Sequence, residues 1–266
     1  MAAAAGDDTV KLATGRLVAL AQRYVPDQVT GLHLIGSAID GDFQPGRSDL
    51  DFVAVLSRPA NVADLAALAI LHRTYATDPT MPALDGIWIT VEELAAGPDG
   101  LPDGPTSSDN RFFELARGNR NPVTWAMLPR ARTVIGQLDR AALRPDPVRL
   151  KNWVRENARS YWTRWHTRAS QLWSPHGLAS LGPSAAMWGV LGISRLHYTM
   201  VTGDIASKTA AGEHALGWIE PRWHPIVNES LRIRRSGGTG LYASPFKRRQ
   251  DALDFVAMMI GEIRRL

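Results

Sequence analysis

The chain has 266 residues, 45% hydrophobic and 21% charged, which suits one large globular domain or two modest ones. It contains no cysteine, which excludes disulfides and thiolate metal sites and fits a reducing cytoplasm. Its net charge of +4 hides an asymmetry: residues 1–144 carry 13 Lys and Arg against 17 Asp and Glu, and residues 145–266 carry 17 against 9.

The basic half suits polyanions, but its arginines are scattered rather than clustered. A solvated helical surface is therefore favoured over a nucleic-acid footprint. The N-terminal MAAAAGDDTV lacks a basic region followed by an apolar stretch, so no signal peptide is expected. No apolar run approaches the ~20 residues that a membrane helix needs. The expected location is cytoplasmic, away from membranes, and the expected state is a monomer.

Apolar spacing over residues 9–24 predicts an amphipathic helix. Thr30–Ile35 and Leu50–Leu56 read as strands. Asn61 is a plausible N-cap for a helix running to about Ala76. Leu84–Val91 reads as a third strand, and Glu92 and Glu93 as a solvated helix start. Residues 97–110 (GPDGLPDGPTSSDN) are rich in Gly, Pro and Asp and lack periodicity. They predict a mobile loop, either a lid or a plain surface excursion. Asn121–Leu128 and Arg132–Ile135 are further strand candidates.

Asp139–Pro147, containing Pro145-Asp146-Pro147, marks a linker. The domains are placed at 1–143 and 144–266. Beyond the linker, residues 148–173, 184–202, 205–218, 223–235 and 246–265 read as helices. The fold class is therefore α+β, a mixed sheet flanked by helices followed by a helical bundle. Seven of the nine tryptophans fall in residues 153–223. Most of them, with Tyr161, are expected in the core, and one or two are candidates for stacking on a ligand.

The most informative stretch is GLHLIGSAIDGDFQPGRSDLDFVAVL. An apolar strand ends in Gly36-Ser37, a polar loop follows, and a second strand opens with Asp49 and Asp51. Side chains two apart on a strand share a face, so these carboxylates can converge on one hard divalent cation. Gly36 allows the backbone close to a phosphate, and Ser37 adds a hydroxyl and an N–H beside it. Together they describe a site for Mg²⁺ and a nucleoside triphosphate, and so for nucleotidyl transfer. Asp85, heading the third strand, is the best candidate for a third acid that ligates metal or takes a proton from an attacking hydroxyl. Strand caps at Asp49 and Asp51, and a turn residue at Asp85, are the structural alternatives.

The segment Gly36-Ser37-Ala38-Ile39-Asp40-Gly41 through Ser48-Asp49-Leu50-Asp51 resembles the active-site motif of the streptomycin/spectinomycin adenylyltransferases. A second segment, Ser194-Arg195-Leu196-His197-Tyr198-Thr199-Met200-Val201-Thr202-Gly203-Asp204-Ile205-Ala206-Ser207-Lys208, is similar to that family's helical-domain signature. The resemblance implies an N-terminal nucleotidyltransferase domain, a C-terminal helical domain, and ATP and acceptor bound in a cleft between them. It implies phosphate contacts from Ser37, Ser48, Arg195 and Lys208, Mg²⁺ held by Asp49 and Asp51, and Asp85 as catalytic base. The implied activity moves AMP from ATP to a hydroxyl of an aminoglycoside or aminocyclitol.

Two departures stand out. Asp85 is a methylene shorter than the Glu usual in the drug-modifying members. The segment Pro183–Gly189 also carries no acid where those members place carboxylates for a cationic drug. Glu156, Asp204 and Glu213 are possible replacements. A protein or RNA acceptor, and a non-catalytic nucleotide-binding protein, are the competing readings. The intact set Asp49, Asp51 and Asp85 argues against the latter.

Overall fold

The computed structural model describes residues 2–141, 143 and 145–266. It divides into two compact units, Met1–Asp146 and Pro147–Leu266. The linker expected at Asp139–Pro147 includes positions 142 and 144, which lie outside the described residues.

The first unit is built on a six-stranded mixed sheet. Its strands are β1 (Val29–Leu34), β2 (Leu50–Leu56), β3 (Leu84–Thr90), β4 (Gly104–Ser108), β5 (Arg111–Ala116) and β6 (Arg132–Ile135), in the order β5-β4-β3-β2-β1-β6. Only β2 and β3 run parallel. That pairing needs a crossover, supplied by α2 (Val62–Tyr75). Asn61 caps α2 as its sequence predicts, in a reciprocal capping box with Asp64.

Along β2 the residues Leu50, Phe52, Ala54 and Leu56 point into one core with Leu32, Leu34 and Trp88. The same core takes Leu17 and Ala21 of α1 (Ala2–Tyr24) and Leu68, Leu71 and Tyr75 of α2. Val53 and Val55, on the other face, are buried as well. This is why the strand reads as an unbroken apolar run after its two acids. Burying side chains such as Phe52 or Leu50 contributes about 2–3 kcal/mol each.

Two expectations are corrected here. Residues 97–110 are not a structureless loop, because their second half is β4, paired with β3 and with β5. Asp109 and Asn110 both adopt positive φ (50° and 62°) and turn the chain between β4 and β5. Such a turn favours Asp and Asn for that reason. Asn121–Leu128 is not a strand but a helix, α4 (Pro122–Met127), following the short α3 (Val91–Ala96) in chain order. The Asn121 side chain accepts from the Val123 and Thr124 N–H groups and Pro122 fills the first helical position, a helix-start signal that overrides the local apolar pattern.

The second unit is helical. It comprises α5 (Pro147–Asn157), a π turn (Ala158–Trp162), α6 (Thr163–Ser170), α7 (Pro175–Ala179), α8 (Pro183–Thr202), α9 (Lys208–Leu216), α10 (His224–Arg234) and α11 (Pro245–Arg265). The apolar helix α8 is packed by α5, α9, α10 and α11. The long helix expected over 148–173 is thus interrupted and ends at Ser170. Trp162, Trp165 and Trp188 form one aromatic cluster, with Trp162 and Trp188 stacked at 4.8 Å. Trp173 departs from the expected core placement, being 89% exposed beyond the end of α6. No helix among the described residues is long and apolar enough to cross a membrane.

Candidate active site

The first unit gathers three acids at one end of the two parallel strands. Asp51 and Asp85 are register partners on β2 and β3, so their side chains leave the sheet side by side. Asp49 precedes β2 by one residue, close enough for its charge to act on Asp85. All three are half-buried. The backbone that carries them is held on both sides. The Ile35 N–H donates to the Asp51 carbonyl (3.1 Å), and the Leu50 N–H donates to that of Ala83 (2.8 Å).

Gly36 opens a 3₁₀ turn, Gly36–Ala38, directly after β1. Its φ is +65°, and a Cβ there would collide with the Asp51 carboxylate. Glycine is therefore required twice over, for the backbone angle and for the space. Its carbonyl accepts from the Ile39 and Asp40 N–H groups (3.1 and 3.3 Å), which closes the turn. Ser37 sits half-buried in the same turn. Ser48 is buried, and its hydroxyl oxygen accepts from the Gln44 N–H (3.0 Å). The Ser48 N–H returns to the Gln44 carbonyl (2.9 Å), so Ser48 clasps the loop that delivers Asp49.

Asp85 has a strongly perturbed acidity. Burial pushes its carboxyl up to about 7, and the neighbouring charges of Asp49 and Asp109 push the same way. A hydrogen bond from Asn119 Nδ2 to Asp85 Oδ1 (2.7 Å) opposes them. Asn119 is a contact that sequence reading missed, since it lies 34 residues away in a segment without periodicity.

In the second unit the turn after α8 brings Arg195 and Lys208 into one neighbourhood. α8 stops at Gly203, which takes a left-handed conformation (φ 75°). The Asp204 N–H then donates to Thr202 Oγ1 (3.1 Å) and the Ile205 N–H to Asp204 Oδ1 (2.7 Å). Arg195 Nε reaches from α8 to the Ala206 carbonyl (3.0 Å). Ser207 caps α9, and Lys208 is its first residue. The expected helix over 205–218 therefore begins three residues late, because 203–207 is the turn that sets these cations.

The acid-free start of α8 is confirmed by position, since its first turn holds no carboxylate. Of the three possible replacements, Glu213 is ion-paired with Arg235, and Glu156 and Asp204 are exposed.

Residues 177–261 match the family model of the aminoglycoside adenylyltransferase C-terminal domain. The matched span contains Arg195 and Lys208 but not the carboxylates. Among solved structures, the chain is similar to spectinomycin adenyltransferase AAD(9) from Enterococcus faecialis, solved with ATP and spectinomycin. The TM-score is 0.65 at 14% identity, over 94% of this chain and 99% of that one. At that identity the likeness establishes the shared fold. A comparison with curated proteins gives no match.

Proposed function

We propose that this chain is a nucleotidyltransferase of the aminoglycoside adenylyltransferase kind, a reading supported by the matched helical segment and the shared fold, and that it moves AMP from ATP to a hydroxyl of a small antibiotic of the aminoglycoside or aminocyclitol class. The observation that carries the reading is the side-by-side register of Asp51 and Asp85, with the Asp49 charge close to Asp85 and Gly36 packed against the Asp51 carboxylate.

The donor set fits a hard cation, since it offers only oxygen. Among the described residues no group of three or more His, Asp or Glu forms a complete metal cage. Two carboxylates with phosphate and water completing the shell suit Mg²⁺, which keeps part of its hydration. Asp49 and Asp51 would hold it. Bound there, Mg²⁺ supplies charge neutralisation at the transferring phosphate.

Asp85 is the general base. Its carboxyl, at about 7, is poised to accept a proton near neutral pH. It takes the acceptor's hydroxyl proton as that oxygen bonds to the α-phosphorus. The bond from the α-phosphorus to the bridging oxygen breaks, and pyrophosphate leaves with the electron pair. Gly36, Ser37 and Ser48 border the phosphates, and Arg195 and Lys208, set at one turn of the helical unit, are cations of a kind suited to phosphate. The acid-poor start of α8 supports an acceptor with few cationic groups, which places spectinomycin-type aminocyclitols ahead of streptomycin.

The test is mass spectrometry of turnover with ATP, Mg²⁺ and a panel of aminoglycosides and aminocyclitols. An AMP-sized mass gain on one drug is expected, reduced by at least ~10³-fold in Asp49→Asn, which loses a metal ligand but keeps its shape. A mass gain on a protein or RNA instead, or undiminished turnover in Asp49→Asn, defeats the proposal.

A further inference from the structure

We propose that Asn119 is a positioning residue for Asp85, and that the segment Gly118–Asn121 is built as a strap that delivers it. This rests on the adenylyl-transfer reading above. A carboxylate at a strand end has several accessible rotamers, and only some present an oxygen to the acceptor hydroxyl. Asn119 Nδ2 donates to Asp85 Oδ1 at 2.7 Å. That bond holds the carboxyl group and leaves its second oxygen, Oδ2, to take the proton.

The strap is fastened on both sides of Asn119. Gly118 has φ +49°, and a Cβ there would strike Thr106 Oγ1. That hydroxyl donates to the carbonyl of Gly86, the residue after Asp85 (2.8 Å). On the other side, Arg120 is fully buried and its Nη2 donates to the carbonyls of Trp88 on β3 (2.6 Å) and Pro105 on β4 (3.2 Å). The Asn119 carbonyl itself accepts from Thr124 Oγ1 (2.6 Å) and the Asn121 N–H (2.9 Å).

This anchorage is expensive. Nε and Nη1 of Arg120 are buried without a hydrogen-bond partner among the described residues. An apolar side chain would pack the same space without that penalty. A buried guanidinium reaching carbonyls on two strands makes sense where backbone placement matters more than stability. What the strap places next to β3 is the amide of Asn119. Fixing the geometry of a reacting group is worth about a hundredfold in rate.

The experiment is steady-state kinetics on the full chain with ATP as the varied substrate, comparing Asn119→Leu, Asn119→Ala and Asn119→Gln. Leucine keeps the volume and removes the donor. Leucine and alanine are expected to lower kcat by ~10- to 100-fold with KM for ATP unchanged, and glutamine to restore part of the loss. In an Asp85→Asn background, Asn119→Leu is expected to cost nothing further, because the two residues act as one unit. A role in packing alone predicts the reverse: Leu near wild type, Ala impaired, and a full additional loss in the Asp85→Asn background. That pattern overturns the inference and leaves the adenylyl-transfer reading intact. Should Asn119→Leu fail to fold by thermal melting, the Ala and Gln pair decides: equal kcat values in the two overturn the inference. A wild-type enzyme that adenylylates no acceptor overturns both.

Discussion

The two units place charge by different means. The sheet unit sets three like charges on strand ends whose backbones are hydrogen-bonded on both sides, with Asp51 and Asp85 in strict register. The helical unit sets two cations at a turn, one reaching from α8 and one opening α9. Carboxylates this close repel, so they need a rigid frame and a cation to draw them together. Arg and Lys bring their own reach, and a turn that fixes their Cα positions is enough. The acid site should therefore be brittle and the basic site tolerant.

Glycine substitutions test that contrast most sharply. Gly36→Ala forces a methyl into the Asp51 carboxylate at φ +65°. It is expected to lower turnover by ~10³-fold or more and stability by about 2–3 kcal/mol, read by kinetics and urea unfolding. Gly203→Ala meets the same backbone penalty at φ 75°, but its methyl would approach only Lys151 Cε at 3.7 Å. About 1 kcal/mol of stability and less than a fivefold change in turnover are expected there. Equal losses in the two variants would break the comparison.

Acid sensitivity tests the frame of the sheet unit next. His72 of α2 is buried, with its Nε2 accepting from Trp88 Nε1 (3.2 Å). Burial lowers its pKa from 6.5 to about 4. The unfolded chain therefore binds this proton more tightly than the folded one. Stability is full above pH 6.5 and falls as the pH drops from 6.5 toward 4, by about 3 kcal/mol. In the helical unit, Glu229 is held low chiefly by its hydrogen bonds from Arg232. Its stabilising contribution is lost only as the pH falls below the ordinary Glu value of 4.5. Hydrogen exchange at pH 5 against pH 7.5 should show α2 and β3 loosening. His72→Gln, which keeps an acceptor for Trp88, should flatten the response. A flat profile in the wild type would refute the assignment.

The smallest effect is expected at the tolerant site. Lys208→Ala should lower kcat/KM for ATP by about tenfold without changing the melting temperature, because one of two cations remains. A loss as large as that of Asp49→Asn would show that the basic turn is as exacting as the acid frame.

The acid frame was legible because its code is local. Asp49 and Asp51, two apart before an apolar run, announce a shared strand face whatever the rest of the chain does. Asn61 announced its helix in the same way, through a cap chemistry complete within four residues. Asn121-Pro122 carries an equally local helix signal, but the apolar run behind it has the composition of a strand. The Asp109-Asn110 turn was equally local, but it lay inside a Gly- and Pro-rich stretch that masked the strands on either side. Arg195 and Lys208 have no pattern of their own and were visible only through a family resemblance. Asn119 had no signal at all, since its partner is brought to it by the pairing of β3 with β4 and by the burial of Arg120.

The sequence by itself determined where the charges fall along the chain. Period-two acids after a glycine turn bring oxygen side chains to the start of one strand, and an acidic first half is followed by a basic second half. Tertiary structure decided what those acids become. Only the parallel pairing of β2 with β3 sets Asp85 beside Asp51, and burial there, helped by the charges of Asp49 and Asp109, lifts its carboxyl to about 7. Register between strands and exclusion of water are collective properties of the folded chain, so no short stretch of residues can encode them.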